Sequence, residues 1–229
     1  MEIEIIPAII PQNFEHLKSQ LFLVRGLAPV VQIDVADGIF APTITWPYGG
    51  GDKEIFSKIL EGEEKLPFWE DFNFEAHLMI ESPENSIDDW LSVGASSLVI
   101  HFESSDNLNS LIEKITSRNI VAGLALLPKT PNEKIYPLVD KVGFVQFMGN
   151  DEIGRHEVSL DDKVIDKIKD LRQKFPEKPI SIDIGVNYNT VADLVRAGAT
   201  KLVSGSAIFD ADNMEEAIEE LKNASILNF

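Results

Sequence analysis

The chain has no cysteine. That absence excludes disulfides, thiolate zinc sites, iron–sulfur clusters and cysteine nucleophiles together, and makes the cytoplasm the expected compartment. Long apolar runs are missing as well. No window reaches the roughly 18 consecutive apolar residues of a transmembrane helix, so no membrane partner is expected. The opening residues Met1-Glu2-Ile3-Glu4 lack the basic stretch that begins a signal peptide. Basic charge is scarce: 20 Lys and Arg stand against 38 Asp and Glu, a net charge of −18. A nucleic-acid binder needs a basic footprint, so nucleic acid is not an expected partner. The acidic excess serves solubility. An anionic small molecule would have to be held by backbone N–H groups or by a local cation.

What is present is an ordinary globular chain of 229 residues, long enough to bury a sizeable core. Short apolar runs rich in β-branched residues alternate with helix-like polar segments and predict strands over 4–6, 30–35, 74–79, 97–101, 122–126, 144–147, 180–183 and 201–204. Helical spacing falls between them, over 13–24, 53–60, 83–93, 108–117, 132–139, 161–174, 188–197 and 214–222. Strands alternating with helices imply parallel pairing and right-handed crossovers. Eight such units fit a closed (β/α)8 TIM barrel forming a single domain over 1–229. An open doubly wound sheet is the alternative. Two segments, 41–52 and 148–160, stand outside the rhythm as long loops. In a barrel both would lie on the C-terminal face, where active sites form.

Strand ends on that face supply the candidate chemistry. The second strand offers Gln32, Asp34 and Asp37, the third His77 and Met79, the fourth His101, the sixth Met148, the seventh Asp183 and the eighth Ser204. Asp34 and Asp183 come from opposite sides of the strand order and can face each other across the barrel mouth. Two carboxylates across a small substrate suit a proton transfer in which one removes a proton from carbon and the other returns it to the opposite face. His77 can join them around a divalent metal. His101 reads as a satisfied core histidine and His16 as a surface residue. Gly185, Gly205 and Ser206 follow the seventh and eighth strands, where barrels bind phosphate through backbone N–H groups.

These residues resemble the ribulose-phosphate 3-epimerase family, from about residue 6 to residue 209. Val31-Gln32-Ile33-Asp34-Val35-Ala36-Asp37-Gly38-Ile39-Phe40-Ala41-Pro42 is similar to the family stretch His-(Phe/Ile)-Asp-Val-Met-Asp-Gly-His-Phe-Val-Pro. His77-Leu78-Met79 matches His-Leu-Met, Asp183-Ile184-Gly185-Val186-Asn187 resembles Asp-Gly-Gly-Val-Asn, and Gly205-Ser206-Ala207-Ile208-Phe209 resembles Gly-Ser-Ala-Ile-Phe. The resemblance implies a barrel of the ribulose-phosphate-binding type that interconverts D-ribulose 5-phosphate and D-xylulose 5-phosphate through an enediolate. It implies an acid/base pair at Asp34 and Asp183, which also ligate a divalent metal, usually zinc or iron. His77 is implied as a further ligand and Met79 and Met148 as side chains packed over the substrate. Gly185, Gly205 and Ser206 match phosphate-side positions.

The departures are informative. Gln32 stands where the family has its first metal histidine, Ala8 where it has a substrate-contacting serine, Ala36 where it has a methionine, and Ile39 where it has a second histidine. The glycine-rich loop after the sixth strand is replaced by Asn150-Asp151-Glu152-Ile153-Gly154-Arg155-His156, in which Gly154 keeps one backbone approach and Arg155 adds a cation. Gln32, Asp34, His77 and Asp183 form an oxygen-rich set, with Gln32 a weak ligand; it favours Mn²⁺ or Mg²⁺ over Zn²⁺, or holds no metal. The expected substrate is a phosphorylated ketose, a pentulose or, with Ala8 and the rebuilt loop, a hexulose. The alternative is a non-catalytic sugar-phosphate-binding barrel that has lost the metal site. Lyase or decarboxylase chemistry, which uses an Asp-x-Lys-x-x-Asp pattern in related barrels, lacks its lysine in Asp34-Val35-Ala36-Asp37. A homo-oligomer is expected, with Trp46, Tyr48 and Trp69 as exposed contacts or lid residues, and the apolar end Ile226-Leu227-Asn228-Phe229 tucked against the barrel.

Overall fold

The computed structural model describes residues 3–49, 51–155 and 158–226, with Ile226 described by its backbone alone. Strands and helices follow one another as β1 (Glu4–Ile9), α1 (Phe14–Leu23), β2 (Val30–Ala36), α2 (Lys53–Leu60), β3 (Asn73–Met79), α3 (Ile87–Ser92), β4 (Ser97–His101), α4 (Leu108–Thr116), β5 (Val121–Leu126), α5 (Tyr136–Val139), β6 (Phe144–Met148), α6 (Lys163–Lys174), β7 (Ile180–Asp183), α7 (Val191–Ala197), β8 (Lys201–Ser204), α8 (Ser206–Phe209) and α9 (Met214–Ile226). Each strand pairs in parallel with the next, and β1 closes on β8 with Pro7 opposite Ser204. The molecule is therefore a closed (β/α)8 barrel, and the open sheet is excluded.

Strand alternation divides the side chains between two compartments. Along β2, Val31, Ile33 and Val35 belong to the main core between barrel and helices, while Gln32 and Asp34 face the interior. The same core takes Val164, Ile168 and Leu171, one face of α6 at helical spacing. The interior packs Met79, Val99, Ala125, Phe144 and Met148 on one side and Ile6, Ala8 and Val203 on the other. A second polar layer lies among them: Lys201 pairs with Glu75 at 2.7 Å, and Ser97 donates to the same carboxylate oxygen at 3.0 Å.

Differences from the sequence expectation lie mainly at element ends. β1 runs on to Ile9, past the residue 6 expected, because Pro7 and Ala8 still pair with their neighbours. The helices expected over 83–93 and 132–139 each break into a tight 3-10 turn, Pro83–Asn85 and Asn132–Lys134, followed by a short helix. In the first, Ser82 is left-handed, which fits a turn and not a helix entry. Trp46 is a correction: it is fully buried, with ring centroids 5.5 Å from Phe14, 5.3 Å from Phe56 and 6.3 Å from Trp90. Its loop is drawn inward by hydrogen bonds from Trp46 N to Pro11 O at 2.8 Å and from Ala36 N to Thr45 Oγ1 at 2.9 Å. Tyr48 is half-buried against the core and Trp69 is exposed, while His16 is half-buried. Residues 227–229 and His156 lie outside the described residues. Among the described residues no helix is long and apolar enough to cross a membrane.

Candidate active site

The register of the barrel assembles the site. Asp34 on β2 lies directly opposite His77 on β3, and Met148 on β6 opposite Asp183 on β7. β2 and β7 are not neighbours, so a contact between them must cross the interior. Gln32 makes that contact: its Nε2 donates to Asp34 Oδ1 at 3.0 Å and to Asp183 Oδ2 at 3.1 Å, and lies 3.3 Å from His77 Nδ1. His77 Nδ1 is 2.9 Å from Asp34 Oδ1 and 3.3 Å from Asp183 Oδ2. Both aspartates touch the floor of a cavity of about 240 Å³, with His77 and Gln32 fully buried beneath it.

Burial raises the carboxyl of Asp34 above its ordinary value, and the charge of Asp183 raises it further; hydrogen bonds from His77 and Gln32 only partly oppose this. Burial pulls His77 the other way, but its hydrogen bonds to Asp183 and Asp34 outweigh it and push the imidazole up to about 9. Burial lowers His101 to about 4. His77 thus holds its proton at neutral pH, in a buried site that opens toward the cavity.

One ligand atom each from Asp34, His77 and Asp183 lie within 4.8 Å of one another, a set that can hold a divalent cation. Gln32 also fits. Its Oε1 is buried without a hydrogen-bond partner, and a half-turn of the amide exchanges Oε1 with the Nε2 now among the carboxylates.

The profile of the ribulose-phosphate 3 epimerase family matches residues 4–209. The chain belongs to this family. It is an isomerase of the epimerase kind, as are its relatives. The ribulose-phosphate 3-epimerase of Bacillus subtilis is 31% identical over 229 residues, covering 97% of this chain and 99% of that one. That of Schizosaccharomyces pombe is 29% identical, covering 98% and 94%. Among solved structures, 3-hexulose-6-phosphate synthase from Salmonella typhimurium superposes with a TM-score of 0.68 at 14% identity, covering 99% of this chain and all (100%) of that one. Orotidine 5'-monophosphate decarboxylase from Sulfolobus solfataricus superposes with 0.61 at 14%, covering 98% of each. At such identities these two share the fold alone.

The cavity brings together Met79, Met148, Gly154, Arg155, Gly185, Gly205 and Ser206 with both aspartates, so every residue expected at the substrate lines it. The two long loops join over it: Thr43 Oγ1 donates to Gly154 O at 2.6 Å. Arg155 lines the mouth with its side chain 57% exposed, 3.6 Å from Glu152. Asp37 instead works as a cap, accepting from the backbone N–H of Ile39, Phe40 and Glu81.

Sequence reasoning missed two features. Gln146 donates to Asp183 Oδ2 at 3.5 Å and accepts from Ser181 Oγ at 3.2 Å. Its place two residues before Met148 on one strand puts both on the same face, and that spacing could have found it. His101 is buried as expected, yet it is not a satisfied bystander. Its Nε2 lies 2.9 Å from His77 Nε2, while its Nδ1 has no hydrogen-bond partner.

Proposed function

We propose that the protein interconverts D-ribulose 5-phosphate and D-xylulose 5-phosphate by proton transfer at C3. The carrying observation is the meeting of Asp34 and Asp183, from non-adjacent strands, at one nitrogen of His77 just beneath the cavity floor. One aspartate removes the C3 proton to give an enediolate, and the other returns a proton to the opposite face. Burial and the charge of Asp183 raise the carboxyl of Asp34, the direction that makes it a stronger base toward a carbon-bound proton. Met79 and Met148 cover the reacting carbons with apolar, polarisable surface. Gly185, Gly205 and Ser206 receive the phosphate, with Gly154 and Arg155 closing over it; a phosphate held by backbone N–H groups and one arginine needs no net basic chain.

Asp34, His77 and Asp183, with Gln32 through its amide oxygen, would hold a divalent cation. When bound, the cation supplies Lewis-acid stabilisation of the enediolate charge. Three oxygen donors and one imidazole favour Mn²⁺ or Mg²⁺ over Zn²⁺. The reaction belongs in the cytoplasm, in keeping with a cysteine-free chain. The working form is a homo-oligomer, a reading supported by Ile39 and Ile44, 75% and 55% exposed on the loop after β2. A single monomer species in sedimentation at micromolar concentration would count against it.

The deciding experiment follows C3 by NMR in D2O with D-ribulose 5-phosphate, in metal-free protein and then with Mn²⁺, Zn²⁺ or Fe²⁺. The expected product is xylulose 5-phosphate carrying deuterium at C3, formed at least about 100-fold more slowly by Asp34→Asn. No exchange in folded protein under any of these conditions sinks pentulose epimerisation.

A further inference from the structure

His77 has two ring nitrogens, and the site uses only one of them. Nδ1 faces Asp34 and Asp183, while Nε2 lies 2.9 Å from Nε2 of His101. Two ring nitrogens that close require one to carry a hydrogen and the other to be bare. Behind them, His101 Nδ1 and Glu103 Oε2 are both buried and both without a hydrogen-bond partner. These two atoms face each other at 3.7 Å. The other oxygen of Glu103 is committed: it accepts from Leu127 N–H at 2.9 Å and from the hydroxyl of Thr130. That fixes which way round the carboxylate stands.

We propose that Glu103 and His101 are positioning residues that hold a hydrogen on Nε2 of His77, so that Nδ1 is the nitrogen that gives up its proton and offers its lone pair to the divalent cation. The chain of contacts has one self-consistent direction. A carboxylate only accepts, so His101 turns an Nδ1–H toward Glu103. Its Nε2 is then bare and accepts from His77 Nε2–H. Ligating imidazoles need such a partner on the far nitrogen to set their tautomer and ring orientation. The assignment rests on the cation site proposed above, but the direction of the relay is measurable without any metal.

The test is ¹⁵N NMR of the histidine rings in the full metal-free chain, paired with Mn²⁺ titration of the unsubstituted protein and of Glu103→Gln. In the unsubstituted protein His101 is expected to carry its hydrogen on Nδ1. Glu103→Gln keeps an oxygen for Leu127 N–H and turns an NH2 toward His101. The hydrogen of His101 then moves to Nε2 and faces His77 Nε2, which must be bare to accept it, so the hydrogen that His77 keeps is the one on Nδ1, where the cation would bind. The expected loss is about 10- to 100-fold in Mn²⁺ affinity. A hydrogen on Nε2 of His101 in the unsubstituted protein overturns the relay, as does Mn²⁺ binding by Glu103→Gln at full affinity. If the variant does not fold, the ring signals of the unsubstituted protein decide alone. If that protein takes up no Mn²⁺, the cation reading fails, and those same signals still decide the relay.

Discussion

At the scale of the residue, two atoms govern the centre: Nδ1 of His77 and Nε2 of Gln32. The imidazole is pushed up to about 9 because its hydrogen bonds to Asp183 and Asp34 outweigh burial. A cation must displace that proton. Mn²⁺ affinity is therefore expected to rise by about tenfold per pH unit between pH 6 and 9 and to level off above, as read by electron paramagnetic resonance of free Mn²⁺. A flat profile would show that Nδ1 is not the ligand. Stability moves the opposite way in the metal-free protein. A group held above its ordinary 6.5 stabilises fully below that value and loses its contribution as pH climbs through 9. The raised carboxyl of Asp34 has the same sign. The melting temperature in chelator should fall from pH 6.5 to 9, and a rise would contradict the geometry. In the cation site proposed above, Gln32 is the ligand that sets the metal preference. Gln32→His should tighten Zn²⁺ by at least about tenfold relative to Mn²⁺ in competitive titration, since imidazole suits zinc better than an amide oxygen.

At the scale of the element, the loop after β6 and the turn after β7 act together. Gly185 has φ +76°, and a Cβ there would stand 2.7 Å from Leu160 N and 2.8 Å from Leu160 Cα. Both are backbone atoms, so the loop would have to move. Gly185→Ala is expected to cost at least about 2 kcal/mol in chemical denaturation, through strain and overlap together. It should also lower kcat/KM, because Val158 and Ser159 of that loop line the cavity. Ile184, next to it, is a β-branched residue at φ 79° immediately after Asp183. Backbone strain of that kind, worth about 1–3 kcal/mol, gathers where the surroundings over-determine a functional side chain.

At the scale of the molecule, the net charge of −18 opposes the approach of the phosphorylated substrate proposed above. The opposition is long-range and so is screened by salt. Raising ionic strength from about 10 to 150 mM should raise kcat/KM about twofold or more, and Arg155→Ala should steepen the rise. A fall with salt would mean that the local field of the cavity, and not the net charge, steers the substrate.

The eight strands, their parallel closure and the pair Asp34 and Asp183 were legible in the sequence, because alternation and strand-end position are local properties that survive in one dimension. The segments at 83–93 and 132–139 were less so: a short apolar pattern does not separate a 3-10 turn from a helix. Trp46 is apolar in any reading, but only the inward path of its loop decides that it is core. The amide of Gln32 lying between two carboxylates, the second amide of Gln146 on Asp183, and the contacts of His101 with His77 and Glu103 were decided by the tertiary structure alone. Each depends on which side chains meet across the interior of a closed barrel, and that is set by the register of several strands at once. The chain by itself determined which polar groups stand at the strand ends; closure of the barrel decided which atoms of those groups face one another.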